Sequence, residues 1–171
     1  REVTVALTGD AGDELFGGYD RYRALAIPEL VQRLPAGPRR MLAGATRLLP
    51  RSGKAKSRLR ALERIAERID EPAAARYLSW MTTFDETGRL ALYADDQLDR
   101  LATFASGLPD PESADPAAVL GRAFAAAAGR DVVTRAMVSD VLTYLPGDLL
   151  FKVDMASMAH SLECRGPFLD H

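Results

Sequence analysis

The chain has 171 residues, 47% hydrophobic and 27% charged, which suits one domain or a large piece of one with enough length to bury a core. A formal net charge of -2 gives no footing for a nucleic-acid or membrane surface. Cys164, the one cysteine, excludes an internal disulfide framework and fits a reducing, cytoplasmic setting. No apolar run approaches the ~20 residues of a membrane span, and no secretory leader is read in the opening residues. The start at Arg1 and the stop at "GPFLDH", both without polar slack, suggest a segment of something longer.

In chain order, Val3, Thr4 and Val5 in "EVTVAL" predict a short buried strand ending at Thr8. No other strand is expected, so the fold class is mainly α with one short N-terminal strand. "TGDAGDELFGGY", residues 8–19, then packs three carboxylates and four glycines into twelve positions. Asp13 and Glu14 suit the first turn of a helix, where carboxylates complement exposed N–H groups. Gly17-Gly18 interrupts, and a helix is expected over 19–34.

Pro35, Gly37 and Pro38 break the chain, and "RRMLAGATRLL" reads as a short helix ended by Pro50. Leu59, Leu62, Ile65, Ala66 and Ile69 recur at helical spacing, so 57–70 is amphipathic, with Arg60–Glu63 and Arg64–Glu67 on its wet side. Pro72 suits the first position of the next helix. There Tyr77, Trp80, Met81 and Phe84 form a buried stripe that reads as core. "SGLPDPESADP", 106–116, is a loop. Helices are expected over 116–128, ended by Gly129, over 131–145, stopped by Pro146-Gly147, and over 148–162.

Two stretches carry chemistry. In the first, a strand delivers a Gly-rich turn and a helix, the usual ligand position in an open α/β sheet. Glycines let backbone N–H groups approach an anion. Asp10 and Asp13, three residues apart, can hold a hard cation such as Mg²⁺. The spacing matches neither a Walker loop nor an EF-hand loop, and a plain tight turn with a helix cap accounts for it equally well.

The second stretch is 144–171, "YLPGDLLFKVDMASMAHSLECRGPFLDH". Leu149, Leu150, Val153, Met158 and Leu162 alternate with Lys152, Asp154, Ser157, His160 and Glu163. Such a helix is half exposed or lines a site. If buried, Lys152 or Arg165 needs Asp154, Glu163 or Asp170 as a partner. A structural ion-pair network competes here with catalysis. Separately, nine basic residues against Glu63 between Arg39 and Arg64 raise a nucleic-acid module as an alternative. No aromatics interleave with them, which favours a solvated helix face.

Together the two stretches resemble the synthetase domain of the glutamine-hydrolysing asparagine synthetase family. Its pattern "SG(D/E)G(S/G)DELFGGY" is followed well over a hundred residues later by "YLPDDLLxKVDRASMAHSLEVRSPFLDH". The resemblance covers about forty residues at the two ends. It implies that 1–171 are the C-terminal portion of an ATP pyrophosphatase-type, parallel-sheet domain. It also implies the family's reaction: aspartate and ATP give β-aspartyl-AMP and pyrophosphate, and glutamine-derived ammonia then displaces AMP to give asparagine.

Position by position, the resemblance assigns Thr8 and Gly9 to ATP through the backbone, and Asp13 to the Mg²⁺ on the pyrophosphate. Asp10 would face nucleotide, acyl-adenylate and amine, where many members carry Glu. Glu163 and Arg165, with Asp154, would order the catalytic site. The implied cofactors are ATP and Mg²⁺. The implied partners are aspartate, ammonia and a glutaminase domain of the same full-length chain, without nucleic acid or membrane.

Three positions depart from the pattern: Met155 replaces a basic residue, Cys164 a valine and Gly166 a serine. Cys164 reads as a small buried apolar residue, and His160 as a packed or capping one. Met155 and Asp10 leave open relatives that adenylate another carboxylate, such as β-lactam synthetases, peptide-cyclising enzymes and polysaccharide-cluster amidotransferases. A non-catalytic helical scaffold is the further alternative. The family's "SGGxDS" loop, its glutaminase domain and its downstream lysine segment have no match in these residues. The isolated chain is therefore expected not to turn over ATP, and its unpaired strand edges favour a homo-oligomer or a frayed N-terminus.

Overall fold

Val5–Leu7 forms strand β1, and Gly12–Phe16 and Asp20–Gln32 form helices α1 and α2. The computed structural model describes residues 3–35, 37–38, 68–84 and 86–170. The expected short helix before Pro50, most of the amphipathic stretch 57–70 with its two ion pairs, and the basic run from Arg39 to Arg64 lie outside the described residues. Further along come α3 (Ala73–Met81), α4 (Glu86–Leu90) and α5 (Asp95–Ser106). They are followed by a 3₁₀ turn at Pro111–Ala114, then α6 (Pro116–Ala126) and α7 (Val132–Leu142). A π-helical turn at Leu145–Leu150 runs into α8 (Phe151–Met158), and β2 (Glu163–Arg165) and a 3₁₀ turn at Pro167–Leu169 close the order.

The described fold is mainly α, as the patterning implies, but β1 has a partner that the sequence did not signal. β1 and β2 pair in parallel, with Val5, Ala6 and Leu7 opposite Glu163, Cys164 and Arg165. β2 sits where helix was expected to fade into tail. A three-residue strand is too short to show an alternation pattern. Nor is β1 buried. Among the described residues β2 is its one neighbour, and Leu7 is 75% exposed.

The core lies among α2, α3, α6 and α7: Tyr22, Leu25, Tyr77, Leu120, Phe124 and Ala136 are buried together. Trp80 and Met81 pack against it, while Phe84 is exposed. α3 ends at Met81 and Thr82 is extended, so the helical period that would bring Phe84 back to the stripe is lost. Pro72 stands just outside α3 as its N-cap. Two helix ends follow the expected chemistry. Asp131 caps α7, accepting from the N–H groups of Val133 and Thr134 at 3.0 Å each, and Gly129 turns left-handed (φ 86°) after α6.

Pro146-Gly147 does not end a helix. α7 already stops at Leu142, and the wider π-helical turn, with Pro146 near its start where no N–H is needed, joins α7 to α8. The helix α5 is absent from the elements expected from the sequence. Its apolar side carries Leu98, Leu101 and Phe104, all exposed.

Candidate functional site

Because β1 and β2 are parallel, the loops leaving their C-terminal ends emerge side by side, although Thr8 and Arg165 are 157 positions apart. The Thr8 N–H donates to the Arg165 carbonyl at 2.8 Å, extending the ladder into the acidic turn. The Thr8 hydroxyl donates to Asp10 Oδ2 at 2.7 Å, fixing that carboxylate against the turn. Gly166, the next residue of the second segment, lies against Asp10. A Cβ on Gly166 would stand 3.7 Å from the Asp10 carbonyl oxygen. Phe168 lies beside the junction, its ring edge-on to Phe16 at 5.3 Å between centroids.

Asp13 occupies the first turn of α1 with its side chain exposed, and its carbonyl accepts from the N–H groups of Gly17 and Gly18. Its carboxylate is folded over Gly18, where a Cβ would come within 2.0 Å of Asp13 Oδ1. Gly18 thus leaves the space that this carboxylate fills. Gly9 faces open space, so a ligand can approach its backbone closely. Ala11 adopts the left-handed conformation (φ 71°) while buried, marking the sharpest bend of the turn.

On β2, Glu163 and Arg165 point to the same face, and Arg165 Nε donates to Glu163 Oε1 at 2.8 Å. That hydrogen bond raises the Arg165 pKa. Both side chains are more than half exposed, so the pair orients charge at the surface rather than supporting the fold. Lys152 pairs with Asp148 one turn earlier, at 2.9 Å, and that contact raises the lysine pKa. Asp148 is not among the partners expected from the sequence. Asp154 is exposed on α8 and forms neither of the ion pairs anticipated for it; a helical i,i+4 reach suits Lys152 and Asp148 better. His160 is exposed just beyond the end of α8, and Cys164 is half-buried opposite Ala6.

Among the described residues three charged side chains are buried, Glu14, Arg76 and Asp140, and the sequence did not signal the burial of any of them. Glu14 accepts the Tyr19 hydroxyl at 2.6 Å. Asp140 Oδ2 accepts from Arg21 Nη2 at 2.8 Å and from the Tyr22 hydroxyl at 2.5 Å. Arg76 donates to the Ile69 and Glu71 carbonyls and to Glu29 Oε1. The available signal was a Ser-Asp pair inside the apolar run of α7, since a polar pair on such a helix needs partners.

Among the described residues no three His, Cys, Asp or Glu side chains converge on one point. Mg²⁺ is commonly taken by one or two carboxylates together with phosphate oxygens and water, and does not require such a cage. The exposed Asp13 carboxylate, on the same turn as Asp10, fits that donor set.

The described chain is mainly helical, and its two parallel strands deliver a Gly-rich acidic turn and a second charged segment to one edge. The asparagine synthase family model matches residues 1–171, and the chain belongs to that family. It is 31% identical over 99% of its length to asparagine synthetase (glutamine-hydrolyzing) 1 of Bacillus subtilis. It is 34% identical, again over 99% of its length, to provisionally named asparagine synthetases (glutamine-hydrolyzing) of Mycobacterium bovis and Mycobacterium tuberculosis. The chain spans about a quarter of the length of these relatives, 24% of the first and 23% of the others. No solved structure matches it. No helix among the described residues is long and apolar enough to cross a membrane.

Proposed function

We propose that this chain is part of the synthetase region of an ATP-dependent, amide-forming ligase of ATP pyrophosphatase type. That ligase adenylates the side-chain carboxylate of aspartate and transfers glutamine-derived ammonia to it. The observation that carries the reading is the parallel pairing of β1 with β2, which brings the Thr8–Asp13 turn and the Glu163–Gly166 segment to one edge.

In this reading Thr8 and Gly9 present backbone to the nucleotide, and Asp10, held by the Thr8 hydroxyl, faces the acyl group and the amine. Asp13 would help hold a magnesium ion on the pyrophosphate portion of the nucleotide, where the metal would supply charge neutralisation. The Glu163–Arg165 pair keeps a guanidinium and a carboxylate in fixed relation beside the Asp10 loop. Bringing two anions together is mostly a matter of positioning and charge compensation, and these residues supply both.

A second carboxylate substrate in place of aspartate is the competing reading, favoured by Met155. It is exposed on α8 where the family pattern has a basic side chain. The deciding experiment is ATP–pyrophosphate exchange by the full-length protein with aspartate and with other carboxylates, repeated with Asp13→Asn. Aspartate-dependent exchange that the substitution abolishes supports the first reading. Exchange with another carboxylate alone supports the second. No exchange with any carboxylate overturns both.

A further inference from the structure

The proposed reaction uses the exposed acidic turn and leaves the buried charges beneath it without a role. Asp140 is fully buried on α7, and its Oδ1 has no hydrogen-bond partner among the described residues. A carboxylate in such a place is costly to fold around, and its best-attested use is to fix one arrangement over others. The contacts leading away from it run toward the candidate site. Asp140 Oδ2 holds Arg21 at 2.8 Å, and the Arg21 guanidinium lies 3.7 Å from the centre of the Tyr19 ring. The Tyr19 hydroxyl in turn donates to buried Glu14, which adjoins Asp13 on α1.

A second line of contact reaches the same turn from below. A Cβ on Gly17 would stand 3.7 Å from Met137 Sδ, on α7 one turn before Asp140. The Gly17–Gly18 corner therefore rests on α7, and Gly18 provides the space in which the Asp13 carboxylate lies. α1 has five residues and makes few backbone bonds of its own, so its direction depends on these outside braces.

We propose that Arg21 and Asp140 are positioning residues for Asp13. Through Tyr19 and Glu14 they set the direction of α1 and so the aim of the carboxylate that meets the metal–nucleotide. This rests on the reading of Asp13 given above. A merely structural pair would, when replaced, lower stability and leave metal binding by the folded protein unchanged. A positioning pair weakens metal binding in protein that is still folded.

The test uses the full-length protein, Mn²⁺ with ATP as the probe, and water-proton relaxation as the readout, with circular dichroism to establish folding. Asp13→Asn is expected to weaken Mn²⁺–ATP binding by about tenfold or more, and Arg21→Lys and Tyr19→Phe by about tenfold, the usual scale for a group supporting a metal ligand. Arg21→Lys keeps the charge but loses the flat stack. Tyr19→Phe keeps the ring and loses only the bond to Glu14. The nearly isosteric Asp140→Asn decides the matter if either of these fails to fold. Folded variants that bind Mn²⁺–ATP like the unaltered protein, while Asp13→Asn does not, overturn the positioning role and leave the site reading intact. Unchanged binding by Asp13→Asn removes the metal role itself, and the positioning role falls with it.

Discussion

Leu7 and Arg165 are register partners in the parallel ladder, and the residue after Leu7 donates its N–H to the Arg165 carbonyl. The backbone of Arg165 is thus committed to the sheet while its side chain stands in solvent beside Glu163. This division of labour separates stability from function. Glu163→Gln and Arg165→Met should each shift the melting temperature of the full-length protein by no more than about 2 °C, since exposed side chains away from core features rarely matter to folding. The same substitutions should lower aspartate-dependent pyrophosphate exchange by about tenfold if the pair orders the site. Thermal melts and exchange rates on the same preparations check both halves.

Gly18 gives a second separation. Its backbone is not left-handed, so alanine is conformationally admissible there, yet a Cβ would sit 2.0 Å from Asp13 Oδ1 and 3.2 Å from the Asp13 Cα. The carboxylate has to swing away. Gly18→Ala is therefore expected to retain the circular dichroism spectrum and lose most of its Mg²⁺-dependent exchange. If Asp13 holds the metal as proposed, raising Mg²⁺ should restore part of the rate, because the substitution displaces a ligand without removing it. A variant with unchanged Mg²⁺ dependence would mean that Asp13 does not hold the metal.

The parts of this fold that could be read in the sequence are those with a local cause. Asp13 and Glu14 open α1, Gly17-Gly18 closes it, Gly129 follows α6, and Tyr77 lies in the core, each for reasons within a few residues. The turn at residues 8–13 was legible as a candidate site for the same reason. β2 was not. Its three residues are strand because β1 offers a ladder from more than 150 positions away, and no local propensity in "ECR" announces that. The Asp140–Arg21 bond is likewise a long-range matter, 119 positions apart in the chain. The pairing of Lys152 with Asp148 was legible from i,i+4 spacing, because both residues fall within the helix expected over 148–162.

Ala11 carries strain that can be measured. A non-glycine residue in the left-handed region costs roughly 1–2 kcal/mol, and glycine adopts it freely. Ala11→Gly gives up one small buried methyl, worth about 0.8 kcal/mol, so the net change should lie between neutral and about 1 kcal/mol stabilising. Ala11→Val adds branching at a position with 1% exposure and should destabilise by about 2 kcal/mol or more. Denaturant melts of the two variants side by side would show it. A destabilised Ala11→Gly would contradict the strained turn.

The outer face of β1 bears on association. Val3, Leu7 and Phe16 are exposed at 63%, 75% and 72%, and Phe168 and Leu169 extend the apolar surface around the strand ends. The sheet has two strands among the described residues, so its edges present unpaired backbone as well. The isolated 171-residue chain is expected to self-associate in sedimentation experiments, and Leu7→Lys should reduce the associated fraction by placing a charge on the strand. A clean monomer with protected amides at residues 3–8 would be the contrary result.

Three tyrosines report on the buried network through alkaline titration. Burial is the largest cause holding Tyr22 and Tyr77 protonated above their ordinary 10.0, with the Asp140 carboxylate next, which Tyr22 meets through a hydrogen bond. Burial and then the bond to Glu14 do the same for Tyr19. The sign follows from the direction of the shift. With folded values above the unfolded one, their contribution to stability is complete below about pH 10 and is lost only as pH rises through the folded values. At about pH 11, where exposed tyrosines ionise, the absorbance near 295 nm should therefore show these three still protonated, ionising later in a step that coincides with unfolding. Asp140→Asn removes the carboxylate that disfavours tyrosinate at Tyr22 and Tyr77, so the step in which the buried tyrosines ionise and the protein unfolds should move to lower pH. A uniform titration of all the tyrosines in the folded protein would show that the Asp140 network does not persist in solution.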